Sequence, residues 1–65
     1  MITFRPNPHT LHVHASEAEP GRFDWTIRRD DTVIRQSVRS FGSRGATEAD
    51  GDAALRRVTA QWQRS

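Results

Sequence analysis

From Thr10 to Ala15 apolar and polar residues alternate, with Leu11, Val13 and Ala15 on one parity and His12 and His14 on the other. A period of two predicts a half-buried strand. A second alternation runs from Arg22 to Arg29, where Phe23, Trp25 and Ile27 oppose Asp24, Thr26 and Arg28. Thr32 to Phe41 predicts a third strand, and Asp30-Asp31 is a plausible two-residue turn between the last two. Pro20-Gly21 punctuates the chain between the first two. Residues 1–9 read as an irregular or edge segment, because Pro6 and Pro8 cannot both sit in a central strand.

Closing the hairpin on Asp30-Asp31 predicts a register. Arg29 faces Thr32, Arg28 faces Val33, Ile27 faces Ile34, and Thr26 faces Arg35. Continuing outward, Trp25 meets Gln36, Asp24 meets Ser37, Phe23 meets Val38, and Arg22 meets Arg39. The pairs Ile27–Ile34 and Phe23–Val38 then share a face with Trp25. Arg22, Arg28, Arg35 and Arg39 share the other, and a slip by one residue would scatter both sets.

The last third reads as a helix over 46–63. Ala54, Leu55, Val58 and Trp62 recur at helical spacing and form one apolar stripe. Thr47 and Asp50 resemble a capping box, with acids early in the helix and Arg56, Arg57 and Arg64 late, which suits the macrodipole. Gly51 costs roughly 1 kcal/mol against alanine in a helix interior. Either the helix begins near Asp50, or Gly51 lets its backbone approach the sheet. The expected fold is a single α+β domain over 1–65, a three-stranded antiparallel meander over 10–41 with one C-terminal helix packed on one face.

Composition narrows the function classes. With 65 residues, the chain is near the size at which a domain needs disulfides, metal or a partner. There is no cysteine, which excludes disulfides and thiolate metal sites. Absence of a signal pattern and of any apolar run near the ~18 residues of a membrane span makes a cytoplasmic domain the expectation, with no membrane partner. Mean hydropathy is −0.80, yet two Trp, three Phe and regular aliphatic spacing argue for a core. All ten basic residues are arginine, so the pI of 11.0 reflects a flat titration curve more than a large charge, which is only +2. Residues 22–44 hold six arginines against Asp24, Asp30 and Asp31, so the excess sits in the hairpin region.

Three constellations could carry chemistry. His9, His12 and His14 are the most metal-like group, but zinc needs further firm ligands that no cysteine or nearby aspartate supplies, and solvated strand histidines are the simpler reading. Ser, His and Asp occur without a framed nucleophile, so no enzymatic activity, cofactor, metal or small-molecule substrate is expected. Trp25 and Trp62 fall at core parity. The binding candidates are Arg22, Thr26, Arg28, Arg35, Ser37 and Arg39, a sheet face of guanidinium forks and hydroxyls suited to carboxylate or phosphate oxygens. An antiparallel sheet with one covered face needs a polar outer face in any case.

Residues 23–55, "FDWTIRRDDTVIRQSVRSFGSRGATEADGDAAL", resemble the small ββα repeat of bacterial YegP-like proteins, through Ile34, Ser37, Phe41, Ser43 and Ala46. This chain has one residue more between Ser37 and Phe41, and Asp30-Asp31 replaces the family's Asn-Gly turn. Such proteins often carry the unit twice, so a single copy implies a homodimer; the family implies no biochemical activity. The same stretch is similar to the three-stranded DNA-binding domain of AP2-type factors and phage integrases, with Trp25, Ile27 and Arg28 on the strand and Phe41, Ser43, Ala53 and Ala54 on the helix side. That resemblance implies DNA contact through the sheet. The expectation is therefore a small non-catalytic binding module that uses its arginine face and an edge strand to bind an acidic partner protein or to self-associate. The alternative is weak, largely sequence-independent DNA or RNA binding by the same face.

Overall fold

The computed structural model describes residues 7–64. Strands β1 (His9–Ala15), β2 (Phe23–Arg29) and β3 (Thr32–Gln36) precede one helix, α1 (Arg44–Arg64). The strands form an antiparallel sheet in the order β1-β2-β3, so the α+β meander expected from the alternation is the fold observed. The expected segment of residues 1–9 falls mostly outside the described residues, and His9 already belongs to β1.

Leu11 faces Ile27 and Val13 faces Trp25 across β1 and β2, which puts all four on the helix side of the sheet. Thr10, His12 and His14 oppose Arg28, Thr26 and Asp24 on the open side. The Asp30-Asp31 turn forms as expected. Asp30 takes φ 57°, a left-handed conformation that aspartate tolerates better than most residues.

The register of the second hairpin departs from expectation after two pairs. Arg29 faces Thr32 and Arg28 faces Val33, but Ile27 then faces Arg35 and Thr26 faces Gln36. A bulge at this step gives β3 an extra residue, Ile34, so Ile27–Ile34, Thr26–Arg35 and Trp25–Gln36 do not pair. Nor does β3 run on to Phe41. It stops at Gln36, the chain bends away, and Phe41 returns to exchange two 2.8 Å backbone hydrogen bonds with Phe23. Phe41 therefore takes the place expected for Val38. Burial gives the reason: Phe41 is 9% exposed and Val38 is 102% exposed, and the larger ring removes more apolar surface from water.

The helix begins at Arg44, two residues earlier than expected, and its cap is Ser43. The Ser43 hydroxyl accepts the Ala46 N–H at 3.1 Å, while the Ser43 carbonyl accepts both the Thr47 N–H and the Thr47 hydroxyl. Thr47 and Asp50 accordingly form no capping box, and the first turn holds no acid. We expect Ser43→Ala to cost about 1 kcal/mol and Ser43→Asp to retain most of the stability. Urea denaturation of the three proteins checks this, and equal midpoints would refute the cap.

The core is Trp25, Ile27, Phe41 and Val58, flanked by Leu11, Val13, Ala54 and Leu55. Thr47 is fully buried and Gly51 is buried beside it, so the inward stripe of α1 starts two turns before the aliphatic one. An ideal Cβ on Gly51 would lie 2.7 Å from Leu11 Cδ1 and 3.1 Å from Trp25 Cγ. Of the two readings open for this glycine, close approach of helix to sheet is the one observed. That approach is one-sided. Helix α1 lies on β1 and β2, and none of its α carbons comes within 8 Å of one in β3. Every residue of β3 is exposed.

Candidate binding site

The six side chains expected on one sheet face are divided by the observed register. Thr26 and Arg28 do lie on the open face, beside His12, His14, Asp24, Val33 and Gln36. The Thr26 hydroxyl oxygen is buried there with no hydrogen-bond partner among the described residues. Arg35 instead faces Ile27 and so turns to the helix side. Ser37 is used structurally: its hydroxyl accepts the Trp25 N–H at 3.2 Å and its own N–H donates to the Trp25 carbonyl at 2.9 Å.

Arg22 and Arg39 do share a depression of about 440 Å³ with Ser37, but Glu19 and Asp24 line it too, and both arginines are engaged within the chain. The Arg22 guanidinium donates to the Ser40 carbonyl at 2.7 Å and pairs with Glu19 at 3.0 Å, bracing the loop after β1 against the loop after β3. Arg39 lies over the Phe41 ring, its Cζ 4.9 Å from the centroid, an arrangement that stacks a cation on an aromatic face. Arg44 covers Phe23 in the same way at 5.7 Å. The histidines are divided too. His9 is buried on the helix side, bonded through Nδ1 to the Asn7 side-chain oxygen at 2.9 Å and edge-on to Trp62. His12 and His14 point to the open face, with Nε2 of His12 3.0 Å from the Thr10 hydroxyl. The three cannot converge on one ion.

What the structure does bring together lies between β3 and α1. Because the helix covers only β1 and β2, the helix side of β3 borders a groove. One depression of about 290 Å³ is lined by His9, Arg29, Ile34, Arg35, Val58 and Trp62. A second of about 410 Å³ is lined by Trp25, Arg35, Val38, Ala53, Ala54 and Arg57. Arg35 belongs to both. Asp50 and Gln36 also border the larger one, but the Asp50 carboxylate accepts the Trp25 indole N–H at 2.8 Å and holds that ring in place. Among the described residues the one salt bridge joins Arg22 to Glu19, so Arg29, Arg35 and Arg57 line a groove of mixed polar and apolar surface without a carboxylate partner.

The outer edge of β3 adds backbone groups to this surface. Ser37 N–H bonds to the Trp25 carbonyl, and hydrogen-bonded positions alternate along an antiparallel pair. The N–H and C=O of Gln36, opposite Thr26, therefore point away from β2. Val33 and Ile34 on this strand are 48% and 42% exposed. Of the groove residues, sequence reasoning named Arg35 but assigned it to the opposite face, and it passed over Arg29, Ile34, Val38 and Arg57 as contributors to binding. One signal was available. Val33-Ile34 sets two apolar residues side by side in an otherwise alternating strand, which is how a bulge reads in sequence.

No family model, no curated protein and no solved structure matches this chain.

Proposed function

We propose that this chain is a non-catalytic binding module that takes an extended segment of another protein onto the outer edge of β3. The observation that carries the reading is the one-sided placement of α1, which leaves a strand with outward backbone donors and acceptors, exposed Val33 and Ile34, and a groove of mixed polarity alongside. In strand addition, main-chain hydrogen bonds supply affinity and alternate side-chain pockets supply selectivity. The charge around the groove favours an acidic partner over a second copy. Pairing two β3 strands antiparallel would bring the Arg35 guanidinium groups of both copies close together, and like charges across strands destabilise. The bulge and Arg35 are also devices by which edge strands avoid self-pairing. A monomer in sedimentation equilibrium accords with this reading, and a dimer would move the partner to a second copy.

Selection of random twelve-residue peptides displayed on phage provides the test. The best peptide is then synthesised with N-methyl groups on alternate residues, in both phases. Strand addition is expected to lose roughly tenfold or more in affinity with one phase and little with the other, since only alternate N–H groups face β3. If both phases bind alike, the edge is not used. The competing outcome is nucleic-acid binding, as the similarity to AP2-type domains implies. It would show as binding of labelled DNA or RNA at low salt, with a log–log salt slope near about −3 if three or four phosphates are neutralised. On the open sheet face, Asp24 stands against that outcome, and Arg28 is the one arginine among the described pairs there.

A further inference from the structure

We infer that the pocket between Arg35 and Arg57 is a carboxylate-reading site, which selects an acidic side chain in the segment added to β3. The inference rests on the strand-addition reading above. An added strand lies about 4.8 Å beyond β3, and its side chains on the helix side overhang β3 toward α1. Those side chains meet the larger depression, where Arg35 projects from the sheet wall and Arg57 from the helix wall. The same depression includes apolar surface. Trp25, Ala53 and Ala54 contribute to its lining, so the methylene stem of a glutamate has surface to cover before its carboxylate reaches the guanidinium groups.

Charge complementarity determines the class of ligand. Arg35 and Arg57 have no ion-pair partner among the described residues, and the single acid at the rim, Asp50, is committed to the Trp25 indole N–H. Two planar guanidinium forks lining one depression suit a carboxylate in chemistry as well as in sign. Side chains of the added strand alternate, so the acid enters this pocket from one position and its two neighbours face the exposed Val33 and Gln36. The ligand is thus an extended segment in which one Glu or Asp is flanked by apolar or β-branched residues.

The peptide selection tests this directly when run on the natural chain and on the doubly substituted R35E/R57E chain. Both positions are exposed, and the circular dichroism spectrum and melting curve of the variant establish that it folds. The natural chain is expected to enrich an acidic residue at one fixed position, and R35E/R57E to enrich Lys or Arg there. Affinity of the natural consensus peptide should fall roughly tenfold or more on charge reversal. An enriched pattern without acids, still sensitive to N-methylation in one phase, sinks the carboxylate site and leaves strand addition standing. An acidic pattern indifferent to N-methylation phase sinks strand addition and with it this inference. An acidic pattern that persists unchanged on R35E/R57E places the recognition elsewhere.

Discussion

Ile27→Ala is expected to cost about 3–4 kcal/mol, the range for emptying a fully buried aliphatic position. Ile27 is 0% exposed at the centre of β2, between β1 and β3 and beneath α1. A single core of this size supplies only ~3–5 kcal/mol, so the substitution removes most of the stability and the variant should be largely unfolded at 37 °C. The control is Ile34→Ala, the same chemistry on the adjacent strand, where 42% exposure and the absence of a helix above predict a loss under ~1 kcal/mol. Urea denaturation followed by circular dichroism compares them. Equal losses would mean that β3 is covered in solution, which would overturn both the uncovered edge and the binding surface built on it.

The second large effect lies at Gly51. Alanine there gains roughly 1 kcal/mol of helix propensity, but its Cβ lands 2.7 Å from Leu11 Cδ1 and 3.1 Å from Trp25 Cγ. The Leu11 contact is with the end of a flexible side chain on an edge strand and can relax. Trp25 is 5% exposed and tied to Asp50, so its ring cannot. Overpacking costs about 1–3 kcal/mol, which leaves Gly51→Ala less stable than the natural chain by about 1 kcal/mol despite its better helix propensity. Gly51→Val adds two methyl groups to the same space and should cost more than about 3 kcal/mol. Leu11→Ala combined with Gly51→Ala separates the two contacts. Removing the Leu11 methyls clears the 2.7 Å contact and leaves the one to Trp25, so the double variant should be more stable than the sum of the single losses by roughly half a kcal/mol or less. If Gly51→Ala instead raises the melting temperature by the several degrees that ~1 kcal/mol brings in a domain of this size, helix and sheet do not approach as closely as described.

Most of the fold was legible in local pattern. The two strands with clean alternation, β1 and β2, and the Asp30-Asp31 turn occur where period-two spacing and turn chemistry place them. The helix was found from Ala54, Leu55, Val58 and Trp62, yet its buried stripe also includes Thr47 and Gly51. Neither residue is hydrophobic enough to register in a periodicity count. Thr47 is admitted because its hydroxyl finds the Ser43 carbonyl, and Gly51 because it has no side chain to exclude. The candidate site was less legible. Its key residue, Arg35, was placed on the wrong face because a rule of two assumes an unbroken ladder, and one inserted residue reverses the parity of everything after it.

Alternation, turn residues and helical spacing by themselves determined the element order, the meander and the faces of β1 and β2, because each is decided by near neighbours in the chain. Tertiary packing decided the rest. Phe41 takes the place expected for Val38 opposite Phe23 because the larger ring gains more from the core than the regular ladder does, and the chain bends away after Gln36 to bring it there. The position of α1 was likewise a tertiary outcome. Close approach at Gly51 draws the helix over Leu11 and Trp25, on β1 and β2, and a helix ~10 Å wide cannot also cover β3. The uncovered strand, the groove beside it and the turning of Arg35 toward α1 are consequences of competition among contacts far apart in sequence, which no local pattern records.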